Sequence, residues 1–185
     1  MKKIITLLLF SLTLPVFSAP VLSGVKLMDQ VSYNGKNYEL SGAGIRKKLF
    51  LKLYVGSLYT EKAISSESEV LSGSVASVIQ LDIISKLITS ELMAETIEEG
   101  FAKAMGGDTS SLQGKINDFQ AVFKDEIVKG DQFTFISLPG MGVVAYKGKK
   151  ELITIKDDRF RKVLFTIWLG DDPADANLKK GMLNQ

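Results

Sequence analysis

Arg46, Tyr54 and Tyr59 are the residues whose types and spacing could do chemistry in this chain. They share one stretch, GAGIRKKLFLKLYVGSLY, at positions 42–59. An arginine fork can hold a carboxylate or enolate through two parallel hydrogen bonds, and a phenol can add a third. Inside an apolar cleft, such a set would select an amphipathic anion such as a fatty acid. A structural reading stands beside this one: the arginine caps a turn and the tyrosines pack at a sheet edge. Spacing alone favours that second reading. A straight strand would hold Arg46 and Tyr54 roughly 26 Å apart. They can meet only if the chain folds back, and RKKLFLK contains no obvious turn signal.

Other chemistry is narrowed by what is missing. The sequence has no cysteine and no histidine. Disulfides, thiol nucleophiles and Ser-His-Asp triads are excluded, along with the commonest zinc and copper sites. GAGIR lacks the third glycine of a dinucleotide fingerprint and leads into a strand, so no helix N-terminus is offered to a phosphate. Glu91, Glu95, Glu98 and Glu99 have helical spacing opposite an apolar stripe, which reads as a solvated face rather than a metal or acid–base site. Trp168 lies among Phe165, Ile167 and Leu169 and reads as core before ligand wall. No metal and no cofactor is expected.

The chain has 185 residues. Its start has the form of a secretory leader: Lys2 and Lys3, then an apolar run from Ile4 to Leu14 too short to span a bilayer. Cleavage after Ser18 is preferred to cleavage after Ala19, which would leave Pro20 just past the cut. This predicts a leader over 1–18, a single domain over 19–185, and a periplasmic or secreted protein. Losing Lys2 and Lys3 from the 23 basic residues leaves 21 against 21 acidic ones. A neutral mature surface argues against nucleic acid as a partner. No stable membrane insertion is expected after processing, and a monomer is expected.

Periodicity supplies the elements. Gly24 to Leu40 reads as a β-hairpin about Asn34-Gly35. The glycines at 42 and 44 permit a bend or a close approach. A strand follows from Leu49 with both faces partly covered, then a polar connection over 60–74. Val75 to Ile84 is a strand, and Ile88 to Met105 a helix ended by Gly106-Gly107. A second helix carries Leu112, Ile116, Phe119 and Phe123. Strands about Phe133–Ile136, Val143–Tyr146 and Leu152–Ile155 come next. A helix over Arg159–Leu169, capped by Asp157 or Asp158, and a short terminal helix near 174–183 complete the chain. Strands and helices are segregated, which predicts an α+β fold with an antiparallel sheet covered by helices on one face.

Three segments in this order carry a family resemblance: 42–59, FQAVFKDEIVKGDQFTFISLPGMGVVAYKGK at 119–149, and LFTIWLGDDPADANLKKGML at 164–183. The chain resembles the chalcone isomerase-like proteins, in particular their exported bacterial members. The resemblance implies an open-faced β-sandwich, a large antiparallel sheet with helices on one side and a ligand cleft between. The family's plant enzymes close a flavanone ring, using an arginine supported by threonine, tyrosine and asparagine. Their plastid relatives bind fatty acids through arginine and tyrosine. Arg46 matches the family arginine, and Tyr54 falls where the fatty-acid binders carry tyrosine. The enzyme's tyrosine, asparagine and helix threonine align with Ile88, with Glu95 or Thr96, and with Ile167. The resemblance therefore implies a non-catalytic binder of a fatty acid or similar apolar carboxylate. Its alternatives are an intramolecular lyase with Arg46 as electrophilic stabiliser, and an interaction module with an occluded cleft.

Overall fold

The computed structural model describes residues 20–185, so the expected leader lies outside the described residues. Two minimal strands, β1 (Val21–Leu22) and β2 (Val25–Lys26), pair with each other. The remaining strands are β3 (Gln30–Tyr33), β4 (Lys36–Lys48), β5 (Leu51–Thr60), β6 (Ser77–Ile83), β7 (Gln132–Leu138), β8 (Gly142–Lys147) and β9 (Lys150–Ile155). They form one seven-stranded sheet in chain order, every pairing antiparallel. The α+β class and the large antiparallel sheet are as the sequence predicts.

Two hairpins depart from the reading. The Asn34-Gly35 turn forms, with both residues at positive φ, but it joins β3 to β4, while Val25 and Lys26 belong to the separate pair. More consequential is the straight strand expected between Arg46 and Tyr54. The chain reverses at Leu49-Phe50, a two-residue turn with Leu49 at φ 57, so β4 and β5 are one long hairpin. Neither residue is the asparagine or glycine that such turns favour, which is why the sequence concealed it. The polar connection over 60–74 holds one short helix, α1 (Glu67–Ser72), opened by a capping box between Ser66 and Glu69.

Helices α2 (Ser90–Ala104), α3 (Gln113–Gln120), α4 (Asp158–Leu169) and α5 (Ala176–Met182) supply the apolar cover. Strand parity decides what they cover. Leu58, Ile79, Phe135 and Ala145 form one cross-strand row and join the main core, packed with Phe101, Phe119, Phe160, Phe165 and Trp168 from the helical layer. The adjacent row of Tyr59, Val78, Ile136 and Val144 faces the other way, into a smaller cluster with Tyr38. The sheet curls enough for Tyr33 of β3 to receive a hydrogen bond from Gln80 on β6 (2.8 Å) and to meet the Tyr146 ring on β8.

Ionic ties join the layers. Arg161, fully buried on α4, donates to Asp158 (2.6 Å), to the carbonyls of Val70 and Leu71 at the end of α1, and to Ser137 on β7. Lys179 of α5 donates to Glu67 of α1 (2.9 Å). Asp157 caps α4 by accepting from Phe160 N–H (2.8 Å). Arg161 holds the Asp158 carboxyl below its usual range, the Phe160 N–H does so for Asp157, and Lys179 for Glu67. In the unfolded chain such carboxyls titrate near about pH 4. Their folded values lie lower, so the stability they contribute is complete above about pH 4 and is lost as pH falls through the folded values. Calorimetric melting should therefore drop progressively below about pH 4, and Asp158→Asn should flatten part of that drop. A melting temperature that climbed with acidification in this window would contradict the assignment.

Candidate functional site

The site is built on a close contact between β4 and α5. A Cβ on Gly44 would lie 2.8 Å from the Leu178 carbonyl oxygen, one on Gly42 2.3 Å from that of Gly181, and one on Gly181 2.6 Å from that of Ala43. No real side chain fits these gaps. The glycines expected to permit a close approach do so, and what approaches is the terminal helix. That contact sets the start of α5 beside Arg46. Asp175 caps α5 by accepting from the Asn177 and Leu178 N–H groups, and also accepts from Lys47 N–H (3.1 Å). Arg46 Nη1 donates to the Ala174 carbonyl and lies 3.8 Å from the Asp175 carboxylate.

Arg46 and Tyr54 are direct partners in the β4–β5 register, so both side chains leave the same face of the sheet. They line one cavity of about 110 Å³ together with Leu53, Ile88, Leu92 and Met93, with Lys48, Thr96 and Glu99 adding polar groups. The hairpin turn resolves the distance problem posed by a straight strand. Arg46 is not saturated by the protein: its buried Nε has no partner among the described residues. Arg161 is the contrast, with carbonyl, hydroxyl and carboxylate acceptors surrounding its guanidinium.

Trp168 does two things. Its ring stacks on Phe135 in the core (centroids 5.6 Å apart), as expected from the sequence. Its indole N–H also donates to the Tyr54 hydroxyl (3.0 Å). Sequence reasoning missed this second role, because the partners are 114 residues apart and no spacing rule connects them. An indole N–H can only donate, so the Tyr54 oxygen is the acceptor and its own proton remains for another group. Among the described residues that proton has no acceptor. Burial raises the Tyr54 phenol above its usual range, opposed by the Trp168 hydrogen bond and the Arg46 charge and reinforced by Asp175. Tyr54 is thus a neutral donor at physiological pH. Arg46 and Tyr54 together offer N–H and O–H groups beside a cavity with one apolar wall, Leu53, Ile88, Leu92 and Met93, which is the pattern an amphipathic anion requires.

Tyr59 does not join them. It lies five residues from Tyr54 on the same strand, so its side chain leaves the opposite face and packs against Tyr38, Val78 and Ile136. That odd spacing was visible in the sequence. Ile88 is an apolar wall of the cavity and Thr96 contributes to its lining. Ile167 is not among the lining residues; it packs where α4 meets α2, its Cγ2 being 2.8 Å from where a Cβ on Gly100 would sit. Of the acidic run, Glu91, Glu95 and Glu98 lie away from the cavity, whereas Glu99 reaches its rim. No group of three or more acidic residues is placed to hold a metal ion among the described residues.

The family model for chalcone isomerase-like proteins matches residues 19–184, so this chain belongs to the chalcone isomerase-like family. Among solved structures, a fatty-acid binding protein of Arabidopsis thaliana superposes with a TM-score of 0.68 at 16% identity, over 88% of this chain and 93% of that one. At that identity the likeness establishes the shared fold. No curated protein matches the chain.

Gly44 offers a direct test of how the site is assembled. In Gly44→Ala the new methyl must displace the Leu178 backbone, since neither carbonyl nor strand can yield without shifting α5. We expect a loss of about 1–3 kcal/mol in urea unfolding. The hydrogen–deuterium exchange of α5 should rise before that of α2 or α4. Wild-type stability in this variant would show that the seat is not tight.

Proposed function

We propose that this protein is a non-catalytic carrier that binds a fatty acid or similar amphipathic carboxylate, as a monomer exported from the cytoplasm. The carboxylate sits between Arg46 and Tyr54, and the acyl chain runs along Leu53, Ile88, Leu92 and Met93. One observation carries this reading: the Trp168 N–H occupies the acceptor side of the Tyr54 hydroxyl, leaving a proton on Tyr54 and the buried Nε of Arg46 to serve an acceptor in the cavity that both residues line. The replacement of the enzyme's polar positions by Ile88 and Ile167 removes groups that would orient a chalcone. The name of the Arabidopsis thaliana structure, a fatty-acid binding protein, agrees with this choice of ligand. In the described conformation the cavity is smaller than the roughly 300 Å³ at which small-molecule pockets begin. The acyl chain therefore enters by moving the flexible Leu92 and Met93 side chains on α2. Export rests on the leader, with cleavage after Ser18.

Delipidated protein should take up oleate one to one in native mass spectrometry. Arg46→Gln should weaken uptake by about 10–100-fold, the equivalent of one lost charge-assisted interaction. Tyr54→Phe should weaken it by roughly 3–10-fold and lower stability by about 1 kcal/mol, because the buried Trp168 N–H loses its acceptor. Wild-type uptake by a folded Arg46→Gln variant would remove the head-group assignment. Turnover of a chalcone that survives repurification would replace the carrier with a lyase.

A further inference from the structure

One end of the sheet is built against the usual preferences of folding. The turn between β4 and β5 is Leu49-Phe50, and these side chains are 87% and 86% exposed. Leu49 sits at φ 57, a left-handed conformation that a bulky side chain rarely adopts. At the Asn34-Gly35 turn of the same chain, both positive-φ positions are filled by residues that tolerate that conformation. Here two large apolar residues occupy a strained turn and cover nothing. Local strain with no structural return is a mark of a functional surface.

The surroundings specify the partner. Register pairs Tyr54 with Ile83 and Asp82 with Gln132, which brings the loops after β6 and before β7 to the same end as the turn. Those loops expose Leu87 and Val128, and Leu51 is partly exposed beside the turn. Lys47, Lys48, Lys52, Lys86 and Lys129 are all exposed around them. Of the nearby acidic groups, Asp131 pairs with Lys147 (2.9 Å) and Asp175 caps α5 beside Arg46, while Asp125 and Glu126 are exposed in the loop before β7, so the net basic character lies on the hairpin itself, where Lys47, Lys48 and Lys52 flank the turn. Although the chain from Ala19 is neutral as a whole, the hairpin end is apolar at its tip and basic along the strands that carry it. That combination fits an interface between anionic head groups and acyl chains. Lys48 also lines the cavity holding Arg46, so the cavity lies near the same end of the sheet.

We propose that the β4–β5 turn docks this protein onto the surface of an anionic phospholipid bilayer, Leu49 and Phe50 entering the acyl boundary and Lys47, Lys48, Lys52 and Lys86 meeting the head groups. The docking surface stands whatever the cavity holds. If the cavity holds a fatty acid, docking brings the cavity close to the bilayer.

The test uses the chain from Ala19, which keeps the described fold and removes the apolar leader that would itself bind lipid. It should co-sediment with vesicles of equal parts phosphatidylcholine and phosphatidylglycerol, and not with phosphatidylcholine alone. Raising salt from about 0.05 M to about 0.5 M should weaken binding about tenfold or more, because the lysine contribution is screened. The double variant Leu49→Asn with Phe50→Gly should lose at least about tenfold in vesicle affinity. Its melting temperature should hold or rise, since asparagine tolerates the positive φ at position 49 better than leucine and the exposed Phe50 side chain covers nothing. Its oleate uptake in solution should equal that of wild type, which separates this proposal from the carrier reading. Failure to bind the anionic vesicles, equal binding to neutral ones, or wild-type binding by the double variant would overturn the proposal. So would a wild-type chain that ignores vesicles but self-associates through the turn in sedimentation, since the patch would then serve a protein interface.

Discussion

The approach of α5 to the glycine segment of β4 is the constraint on which the rest of the site depends. Backbone meets backbone there, with no room for a side chain at Gly42, Gly44 or Gly181. Such a contact admits one relative placement of helix and strand, because any slide drives carbonyl oxygens into α-carbons. Asp175 then falls where it can cap α5 and balance Arg46 together. Without that seat, Arg46 would be an unpaired cation on a half-buried strand, and its burial would be costly. The seat anchors one side of the guanidinium and leaves Nε unmatched.

Arg46 on the sheet and Arg161 on α4 illustrate how the same side chain serves two purposes. Arg161 is wholly buried and surrounded by acceptors from α1, β7 and its own helix. It closes a gap between layers, and removing it would take a donor from the Val70 and Leu71 carbonyls and from the Ser137 hydroxyl. Arg46 has a carbonyl on one side and a carboxylate at 3.8 Å, too long for a hydrogen bond. Asp175 tempers its charge without neutralising it by direct contact. An arginine held this way keeps a fixed position and retains capacity for an incoming anion. Tyr54 is held by similar logic, with Trp168 occupying its oxygen and the core fixing the indole.

The β4–β5 hairpin links the site to the outside. Its turn places Arg46 opposite Tyr54, and the same reversal projects Leu49 and Phe50 beyond the sheet. Local strain at Leu49 is tolerated because a long register of paired strands and the α5 seat hold the hairpin on both sides.

Much of the fold was legible in the sequence, because apolar periodicity and capping residues are local signals. The apolar runs of β6 to β8, the stripe of α2 and the Asp157 cap of α4 all follow from residues within a few positions of one another. The opposite facing of Tyr54 and Tyr59 was equally readable from their odd spacing on one strand. The sequence also singled out Arg46, since a cation at the head of an apolar run demands a partner. It could not name that partner. Ala174 and Asp175 lie 128 or more residues away in the chain, and the turn that brings Tyr54 opposite Arg46 carries no turn residue. The Trp168–Tyr54 hydrogen bond, which decides that Tyr54 donates, also spans distant elements. Local sequence determined which elements form and which faces they bury. Only the packing of α5 and α4 on the sheet decided which donors Arg46 and Tyr54 keep unengaged, because hydrogen-bond capacity depends on which partners are already taken.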